Sequence, residues 1–226
     1  MWKRVWPIRA IVCARHAPRA VLLSVKVLDA VTGAASETEV VAGMQRAVNH
    51  GATVLNLSFG GYVQPGQPPV LLDTFLGKLA PEVSVVAAAG NYGNPAEFYP
   101  AAHPRVVGVA ALDTTKPAAP GAEFSNFGAW VDACAPGAWI HGAYVTGSWA
   151  HCGLPSRTLA GYTSWSGTSF AAPMLAAAIA DGVRAGGGSL GTTPRQAEAA
   201  LLASLPKVPK YGAKLLPPLV ATYPQP

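Results

Sequence analysis

The sequence predicts an α/β domain with a largely parallel sheet, and three observations support that prediction. Apolar runs rich in valine alternate with segments of helical period through the first half of the chain. The runs are spaced far enough apart to be joined by crossover helices, which parallel strands require. With 226 residues, of which 50% are apolar and 12% charged, the chain is large enough to bury a core and too apolar to be disordered.

The first half of the chain alternates between predicted strands and helices. Residues 21–28, VLLSVKVL, predict a buried strand that stops before Asp29. Ser36 and Glu39 form a capping box and apolar residues then recur at helical spacing, so a helix is expected as far as Gly51. Two more predicted strands, at 53–57 and 83–87, flank a less regular helix at 70–79.

The second half is dominated by one apolar helix. Residues 169–183 are nearly all apolar or small and Asp181 is their only charge, so this helix is expected at the centre of the domain. Thr193, Pro194 and Gln196 supply an N-cap, a first-turn proline and a capping-box partner for a shorter helix to about Leu205. Shorter apolar runs predict strands at 106–112, 130–133 and 139–145. The segment that begins at 206 has six prolines and no periodicity, which predicts an irregular surface tail.

Charge and hydropathy exclude two classes of function. Five basic residues lie within the first 19 positions, before any acid, and the other 11 Lys and Arg balance all 11 carboxylates, so the net charge of +5 belongs to a basic leader. A nucleic-acid binder needs a basic face on the folded domain, and none is expected here. The long charge-free stretch at 133–156 contains Gly, Pro, His and Ser throughout, so no membrane span is expected. Pro7 and Arg9 interrupt the apolar run of the leader, which gives no convincing signal peptide.

The three cysteines do not have the paired spacing of a zinc site. Cys134 and Cys152 are compatible with one disulfide in an oxidising compartment and equally with two buried thiols. The disulfide state is therefore left open.

A glycine-rich motif raises one alternative function. Gly186, Gly188 and Gly191 satisfy G-x-G-x-x-G, which is typical of dinucleotide-dependent oxidoreductases. That fingerprint must follow a strand and open a helix, whereas here it follows the apolar helix and predicts a C-cap and loop. The oxidoreductase alternative is therefore rejected.

Two segments carry residues suited to catalysis. GTSFAAP, residues 167–173, is a glycine turn that leads into the apolar helix and places Ser169 in its first turn. The N-terminus of a helix favours negative charge, which suits a serine that attacks a carbonyl, although an N-cap role explains the same serine. VVAAAGN, residues 85–91, is a strand that ends in small residues and presents the amide of Asn91. That amide is either a hydrogen-bond donor to an oxyanion or part of an ordinary turn.

Together and in this order, these segments resemble the subtilisin-like serine proteases, the subtilase family or peptidase family S8. Three further segments resemble the family at plausible spacings: GATVLNLSFGG at 51–61, YPAAHPRVVGVAALD at 99–113 and FSNFGAWVDACAPG at 124–137. The similarity covers residues 17–205, which we interpret as a partial catalytic domain. It is preceded by an unmatched basic leader at 1–16 and followed by a proline-rich C-terminal tail at 206–226. Met174 departs from the family, which usually has a histidine at that position.

The resemblance implies a fold and a set of site residues. The fold is three-layer α/β, with a mostly parallel sheet and helices on both faces, but without the N-terminal strand and helix that carry the family's Asp and His. Ser169 is similar to the nucleophile and Asn91 to the oxyanion-hole donor. The Tyr99–Pro100 bond lies where the family often has a cis peptide. The residues similar to the edge that pairs with extended substrate are Ser58, Phe59 and Gly60, and those similar to the wall of the pocket for the side chain before the cut are Ala88, Ala89 and Gly90.

Two catalytic groups of the family are missing. A subtilase uses Asp, His and Ser in chain order, with the Asp in D-[ST]-G and the His in H-G-T, and neither motif occurs in this sequence. In the family, the Asp-bearing strand lies between the strands matched by 21–28 and 53–57. The histidines of this chain are expected to be structural or exposed; they are His16, His50, His103, His141 and His151.

The sequence therefore predicts a fragment of a serine-type endopeptidase catalytic domain, inactive as an isolated chain. We interpret it as a truncated or frame-shifted part of a longer protease, whose partners are a peptide or protein substrate and a missing N-terminal fragment. The alternative is a non-catalytic relic that binds extended peptides without cutting them. The resemblance further implies an extracellular location and no required cofactor. Whether a structural calcium ion binds weakly at the main-chain carbonyls of Ala101, His103 and Val106 stays open, and no metal ligands are assigned.

Overall fold

The computed structural model of the protein describes residues 12–29, 32–64, 66–143, 147–151, 154–159, 161–183 and 192–216. Its helices are α1 Glu37–Asn49, α2 Val70–Lys78, α3 Thr168–Gly182 and α4 Pro194–Ser204, and residues 12–16 are also helical. Its strands are β1 Val54–Leu57, β2 Gly61–Tyr62, β3 Ser84–Ala88, β4 Phe98–Tyr99, β5 Val107–Leu112, β6 Ala133–Pro136, β7 Ile140–Ala143, β8 Gly147–His151, β9 Leu154–Leu159, β10 Tyr162–Trp165, β11 Lys207–Val208 and β12 Gly212–Lys214.

A six-stranded sheet in the order β1-β3-β5-β6-β12-β11 forms the middle of the fold. All neighbours in it are parallel except β11, which runs antiparallel to β12. Every residue of β3 and β5 is buried, as expected for strands covered on both faces. The predicted α/β class and the mostly parallel sheet are confirmed.

Helices cover both faces of this sheet and make three layers. Val85 and Ala87 of β3 pack with Leu76 of α2 and with the buried face of α1. The alternate residues of β3 point to the other face and pack against α3, where Leu175 and Ile179 are fully buried. This alternation follows from the two-residue period of a strand, and it places α3 in the centre of the fold, as predicted.

The predicted helix starts agree with the structure. Ser36 caps α1 in a complete capping box with Glu39, and Thr193 caps α4 in the same way with Gln196. The strands predicted at 53–57, 83–87 and 106–112 correspond to β1, β3 and β5 within one residue at each end. Within the described ranges, no helix combines the length and apolarity needed to cross a membrane.

The buried strand predicted at residues 21–28 is wrong. These residues belong to no helix and to none of the described sheets, and the side chain of Val21 is 96% exposed. A strand requires a hydrogen-bonded neighbour, and here a slot of about 810 Å³, lined by residues 20–29 and 51–59, lies between this segment and β1. A correct β pattern in the sequence therefore does not produce a strand here.

The irregular tail predicted at 206–226 is also wrong over residues 207–214, because β11 and β12 add to the sheet, whereas residues 217–226 lie outside the described part of the chain. Ala213 and Lys214 of β12 pair in parallel with Ala133 and Cys134 of β6. Gly212 permits this approach: its φ is +70°, and a Cβ atom there would lie 2.1 Å from the Asp132 carbonyl oxygen. The prolines flank these strands and so do not interrupt their hydrogen bonds.

The strand predicted at 130–133 is displaced toward the C-terminus. Val131 donates its backbone N–H to the Gly128 carbonyl in a turn, and β6 begins only at Ala133. β7, predicted at 139–145, pairs with β10 outside the main sheet. Cys152 and the glycine motif at 186–191 lie outside the described residues.

Candidate active site

The carboxyl end of β1 meets the amino end of α3, and two serines join them. Ser169 Oγ donates a hydrogen bond to the Ser58 carbonyl at 3.1 Å, and Ser58 Oγ donates to the Ser169 carbonyl at 3.1 Å. The two bonds fix the first turn of the apolar helix against the end of the strand. Ser169 is therefore held at the helix N-terminus with its hydroxyl directed toward the strand end, where the sheet and helix meet.

The side-chain amide of Asn91 lies beside the same helix end, in a defined orientation. Its Oδ1 accepts hydrogen bonds from the backbone N–H of Thr168 at 2.8 Å and from Thr168 Oγ1 at 2.9 Å. Two donors on one atom identify that atom as the oxygen, so Nδ2 is the end that donates. A Cβ atom at Gly167 would lie 3.4 Å from Nδ2, so a glycine at that position keeps the surroundings of the donor open.

Thr168 connects the two segments that the sequence singled out. Its hydroxyl is fully buried and accepts a hydrogen bond from the Gly90 N–H at 3.1 Å while it donates to Asn91. The end of β3 and the start of α3 are thus joined through one side chain. Sequence reasoning missed this role, although Thr168 stands next to Ser169 in the GTS motif.

The wall formed by Ala88, Ala89 and Gly90 is buried and braced from behind by Asn126. Asn126 donates to the Ala89 carbonyl at 2.9 Å and accepts from the Tyr92 N–H at 2.9 Å. Gly90 has a φ of +100°, and a Cβ atom there would lie 2.5 Å from Asn126 Nδ2. The turn between β3 and Asn91 therefore needs both this glycine and this asparagine. Sequence reasoning missed Asn126, which lies within the FSN segment.

The edge formed by Ser58, Phe59 and Gly60 follows β1 directly. A Cβ atom at Gly60 would lie 2.4 Å from the Tyr99 carbonyl oxygen, so the chain passes close to the neighbouring segment. The Tyr99–Pro100 peptide bond is cis, as predicted. The described substrate-binding candidates thus lie at the ends of two adjacent parallel strands, β1 and β3.

Asn56 of β1 supports the serine pair from the strand side. Its Nδ2 donates to Ser58 Oγ at 2.9 Å, and that hydroxyl in turn donates to Ser169. The Oδ1 atom of Asn56 is buried and has no hydrogen-bond partner in the described part of the chain. Sequence reasoning missed this residue as well, because an asparagine inside an apolar run gives no signal of its own.

The histidines described with their side chains have other partners. His50 Nδ1 lies 2.8 Å from the Arg46 carbonyl, His103 Nε2 lies 3.1 Å from Asp73 Oδ1, and His141 Nδ1 lies 3.1 Å from Ser164 Oγ. Burial and the nearby Arg15 lower the pKa of His16. His151 belongs to β8. In the part of the chain that the structure describes, no histidine is hydrogen-bonded to Ser169.

The carbonyls considered for calcium do not form a strong site. The His103 carbonyl already accepts a hydrogen bond from the Val106 N–H at 2.8 Å. Among the described residues there is no group of three His, Cys, Asp or Glu side chains that would hold a metal. Neutral carbonyls alone attract a divalent cation weakly. Calcium therefore stays a prediction, and no chemical step is derived from it.

Comparisons with known proteins show which family and which relatives the chain is similar to. Residues 11–215 match Peptidase S8, the subtilase family. Thermitase from Thermoactinomyces vulgaris is 37% identical over 163 residues, which are 72% of this chain and 51% of that protein. Subtilisin DY from Bacillus licheniformis is 34% identical over 168 residues, which are 73% of this chain and 54% of that protein. The chain thus spans about half the length of these relatives.

Solved structures show the same fold. A lanthipeptide protease superposes with a TM-score of 0.75 over 92% of this chain and 72% of that one, at 22% identity, which is a likeness of fold alone. A cold adapted subtilisin-like serine proteinase gives a TM-score of 0.63 over 84% of this chain and 64% of that one, at 30% identity. The family match runs past residue 205 and includes β11 and β12.

Proposed function

Because the chain belongs to the subtilase family, we propose that it is part of the catalytic domain of a serine endopeptidase that cuts extended polypeptides. One observation carries this proposal. Ser169 lies at the N-terminus of buried α3, beside an Asn91 amide whose oxygen is already engaged by Thr168. The remaining donor, Nδ2, has no hydrogen-bond partner among the described residues and can serve a developing oxyanion near the serine.

In the proposed reaction, Ser169 Oγ attacks the carbonyl carbon of the scissile peptide bond and gives its proton to a general base. The carbonyl oxygen becomes an oxyanion. Asn91 Nδ2 donates a hydrogen bond to it, and the N-terminus of α3 adds a favourable field. The tetrahedral intermediate then expels the amine, which takes the proton from the base, and water hydrolyses the acyl-Ser169 ester that remains.

We propose that the substrate binds as an extended strand along residues 58–60. Main-chain pairing at such an edge selects for shape and extension, so the side-chain preference comes mainly from the wall at Ala88, Ala89 and Gly90. These small residues leave room for a side chain. Peptide and protein substrates and an extracellular location follow from the family as part of the same proposal.

The general base is the open part of this proposal. None of the described histidines is hydrogen-bonded to Ser169, and in subtilisin itself loss of the serine or the histidine costs roughly a million-fold in turnover. We therefore propose that the isolated chain does not hydrolyse peptides and that Ser169 is not labelled rapidly by a fluorophosphonate. Stoichiometric labelling of Ser169 would mean that another base is recruited.

The proposal is tested by restoring the missing groups. The DNA upstream of codon 17 is translated in all three frames, and a D-[ST]-G and an H-G-T motif are expected there. Fusion of that segment to the chain should produce fluorophosphonate labelling at Ser169, and the Ser169→Ala variant of the fusion should remain unlabelled. Absence of both motifs, or labelling that survives Ser169→Ala, contradicts the proposal.

A second candidate is a protein that binds extended peptides without cutting them. It is favoured by the hydrogen bond that Ser169 Oγ gives to the Ser58 carbonyl, because this bond uses the hydroxyl for structure. Calorimetric titration with an unstructured peptide separates the two when it is made on the fusion that restores both motifs, because the isolated chain is expected to lack turnover under either candidate. Binding without turnover by that fusion, unchanged by Ser169→Ala, supports the second candidate over the protease.

We also propose calcium as an optional structural ion, bound by the main-chain carbonyls within residues 101–106. The test is the thermal unfolding midpoint in the presence of excess calcium and of excess chelator. A midpoint that is higher with calcium supports such an ion, because ligands that bind only the folded state stabilise it. Equal midpoints contradict it.

A further inference from the structure

The ring of Phe98 lies between the edge at residues 58–60 and the wall at residues 88–90. A Cβ atom at Gly60, the last residue of the edge, would overlap Phe98 Cε1. A Cβ atom at Gly90, the last residue of the wall, would lie 3.1 Å from Phe98 Cγ. The ring therefore reaches from the wall to the edge, and its residue is only 7% exposed.

The pairing of β4 with β2 holds Phe98 in this place. Tyr62 of β2 lies opposite Phe98 of β4 in antiparallel register. The two residues of β2 follow Gly60 directly in the chain, so the segment that forms the edge also carries the strand that fixes the ring. The position of Phe98 is therefore set by backbone pairing as well as by packing.

Two tyrosines pack on the ring of Phe98. The ring of Tyr62 meets it edge to face with the centroids 5.1 Å apart, and the ring of Tyr92 lies 6.2 Å away. The Tyr62 hydroxyl accepts a hydrogen bond from Asn126 Nδ2 at 3.1 Å, and the same Nδ2 donates to the wall at the Ala89 carbonyl. Aromatic contacts of this geometry and the hydrogen bond stabilise one position of the ring. Phe98 is thus a fixed part of the site.

Phe98 takes up volume that the small residues around it would otherwise leave open. The wall at residues 88–90 consists of alanine and glycine, and the edge ends in a glycine. Phe59, the other aromatic residue at the edge, packs on the apolar cluster of α1 and α2. Closely packed side chains yield little to an extra group, so a bulky substrate side chain cannot share this space with the ring.

We propose that Phe98 is a specificity-determining residue that restricts the substrate to glycine, alanine or serine immediately before the scissile bond. This inference rests on the proposed function, because it names the substrate class of the same site. Side chains of that size end before they reach the ring, whereas the branched chain of leucine or the ring of phenylalanine would overlap it.

The first experiment measures which peptides bind to the full 226-residue chain. The probes are acetyl-Lys-Val-Ala-X peptides with a free carboxylate, in which X is glycine, alanine, serine, leucine or phenylalanine. They are products of the proposed reaction, and the N-terminus of α3 attracts their carboxylate, which places X between the edge and the wall. Two-dimensional amide spectra measure the affinities and show whether the signals of Gly60 and Gly90 move.

The alanine peptide should bind at least about tenfold more tightly than the phenylalanine peptide, because even one methylene group in a pocket can change binding by that factor. Glycine and serine should resemble alanine, and leucine should resemble phenylalanine. An affinity for the phenylalanine peptide that equals or exceeds that for the alanine peptide overturns the proposal.

The second experiment repeats the titrations on Phe98→Ala. The phenylalanine peptide should gain at least about tenfold in affinity, because its phenyl group enters the volume of the deleted ring, as aromatic guests enter apolar cavities. Phe98→Leu removes less volume and should give a smaller gain in the same direction. The matched control is Phe75→Ala, which truncates a phenylalanine of α2 that packs on the apolar cluster of α1 and α2. It should leave the order of affinities unchanged.

Two further results overturn the proposal. The first is an unchanged order of affinities in a folded Phe98 variant. The second is a set of peptides of which none moves the signals of Gly60 and Gly90. If neither variant folds, the order of affinities of the parent chain decides. Fluorophosphonate labelling of Ser169 in the fusion is measured separately, so labelling without the expected preference refutes this inference alone, whereas loss of labelling refutes the proposed function.

Discussion

The interior of the sheet and its β1 edge are made from the same kind of sequence, with different results. β3 and β5 are valine-rich, fully buried and hydrogen-bonded to strands on both sides. Residues 21–28 are equally valine- and leucine-rich, but they pair with no described strand and several of their side chains are exposed. The comparison shows that burial of a strand depends on its neighbours as much as on its own residues.

The largest expected difference in the free energy of unfolding is between alanine substitutions of two leucines, one in each region. Leu175 of α3 is fully buried against the interior of the sheet, and Leu22 is half exposed at the slot. Leu175→Ala should lower the free energy of unfolding by about 3 kcal/mol, because it leaves a cavity in a closely packed core. Leu22→Ala should lower it by about 0.5 kcal/mol or less. Urea denaturation measures both, and equal losses would mean that the slot is closed in solution.

The same contrast explains what the sequence could predict. The helices at Ser36 and Thr193 begin at local capping boxes, so their starts are readable from a few residues. The place of residues 21–28 depends on which strand lies beside them, and no local pattern contains that information. β12 was missed for a related reason: Ala213 and Lys214 pair with β6 only because Gly212 lets the chain approach Asp132.

The candidate site follows the same rule. Ser169 and Asn91 were predicted because each lies in a motif with a local structural meaning. Thr168 and Asn126 were not, because their importance comes from hydrogen bonds to segments that are distant in sequence. Asn56 was not, because it acts through Ser58, whose hydroxyl donates to the distant Ser169 carbonyl. Sequence reasoning therefore singled out the two residues that we propose to react and missed the residues that hold them.

Two asparagines allow a second test across the two regions. Asn126→Ala should cost about 2 kcal/mol of stability, because it leaves the Ala89 carbonyl and the Tyr92 N–H without a partner in a buried turn. Asn56→Ala should cost about 0.5 kcal/mol, because its Oδ1 is already unpaired and one hydrogen bond to Ser58 is lost. Thermal and urea unfolding of both variants measure the difference. A larger loss for Asn56→Ala would contradict the contrast.

The thiols of Cys13 and Cys134 provide a third comparison. Burial raises the pKa of Cys13, which lines the slot, to about 11, and the pKa of Cys134, in β6, to about 12. A higher thiol pKa means less thiolate at any pH below it, so both should react slowly with iodoacetamide at mildly alkaline pH. Cys13 should react faster than Cys134, since its thiol pKa is raised less and its side chain is only partly buried. Mass mapping assigns the label to each cysteine, and faster labelling of Cys134 would contradict the burial of β6.

The smallest expected effect is on the stability that helix capping contributes. It differs between α1, which borders the slot, and α4, which packs on the interior face of the sheet. Thr193→Ala should cost about 1 kcal/mol at every pH at which the chain is folded, because its capping-box partner, Gln196, does not ionise. Ser36→Ala should behave differently. Hydrogen bonds from the Ser36 backbone and side chain lower the pKa of Glu39, so the stability contributed by this pair is present above the pKa of an ordinary glutamate and is lost as the pH falls through the lowered value.

The destabilisation caused by Ser36→Ala should therefore shrink on acidification, while that of Thr193→Ala should not. Urea unfolding of the two variants and the parent chain at neutral and acidic pH measures both. A pH-independent cost for Ser36→Ala would mean that its effect comes from the hydroxyl cap on the Glu39 N–H alone, which does not require the ionised carboxylate. A matching pH dependence in Thr193→Ala would place the titration elsewhere in the fold, because neither partner of that capping box carries a charge.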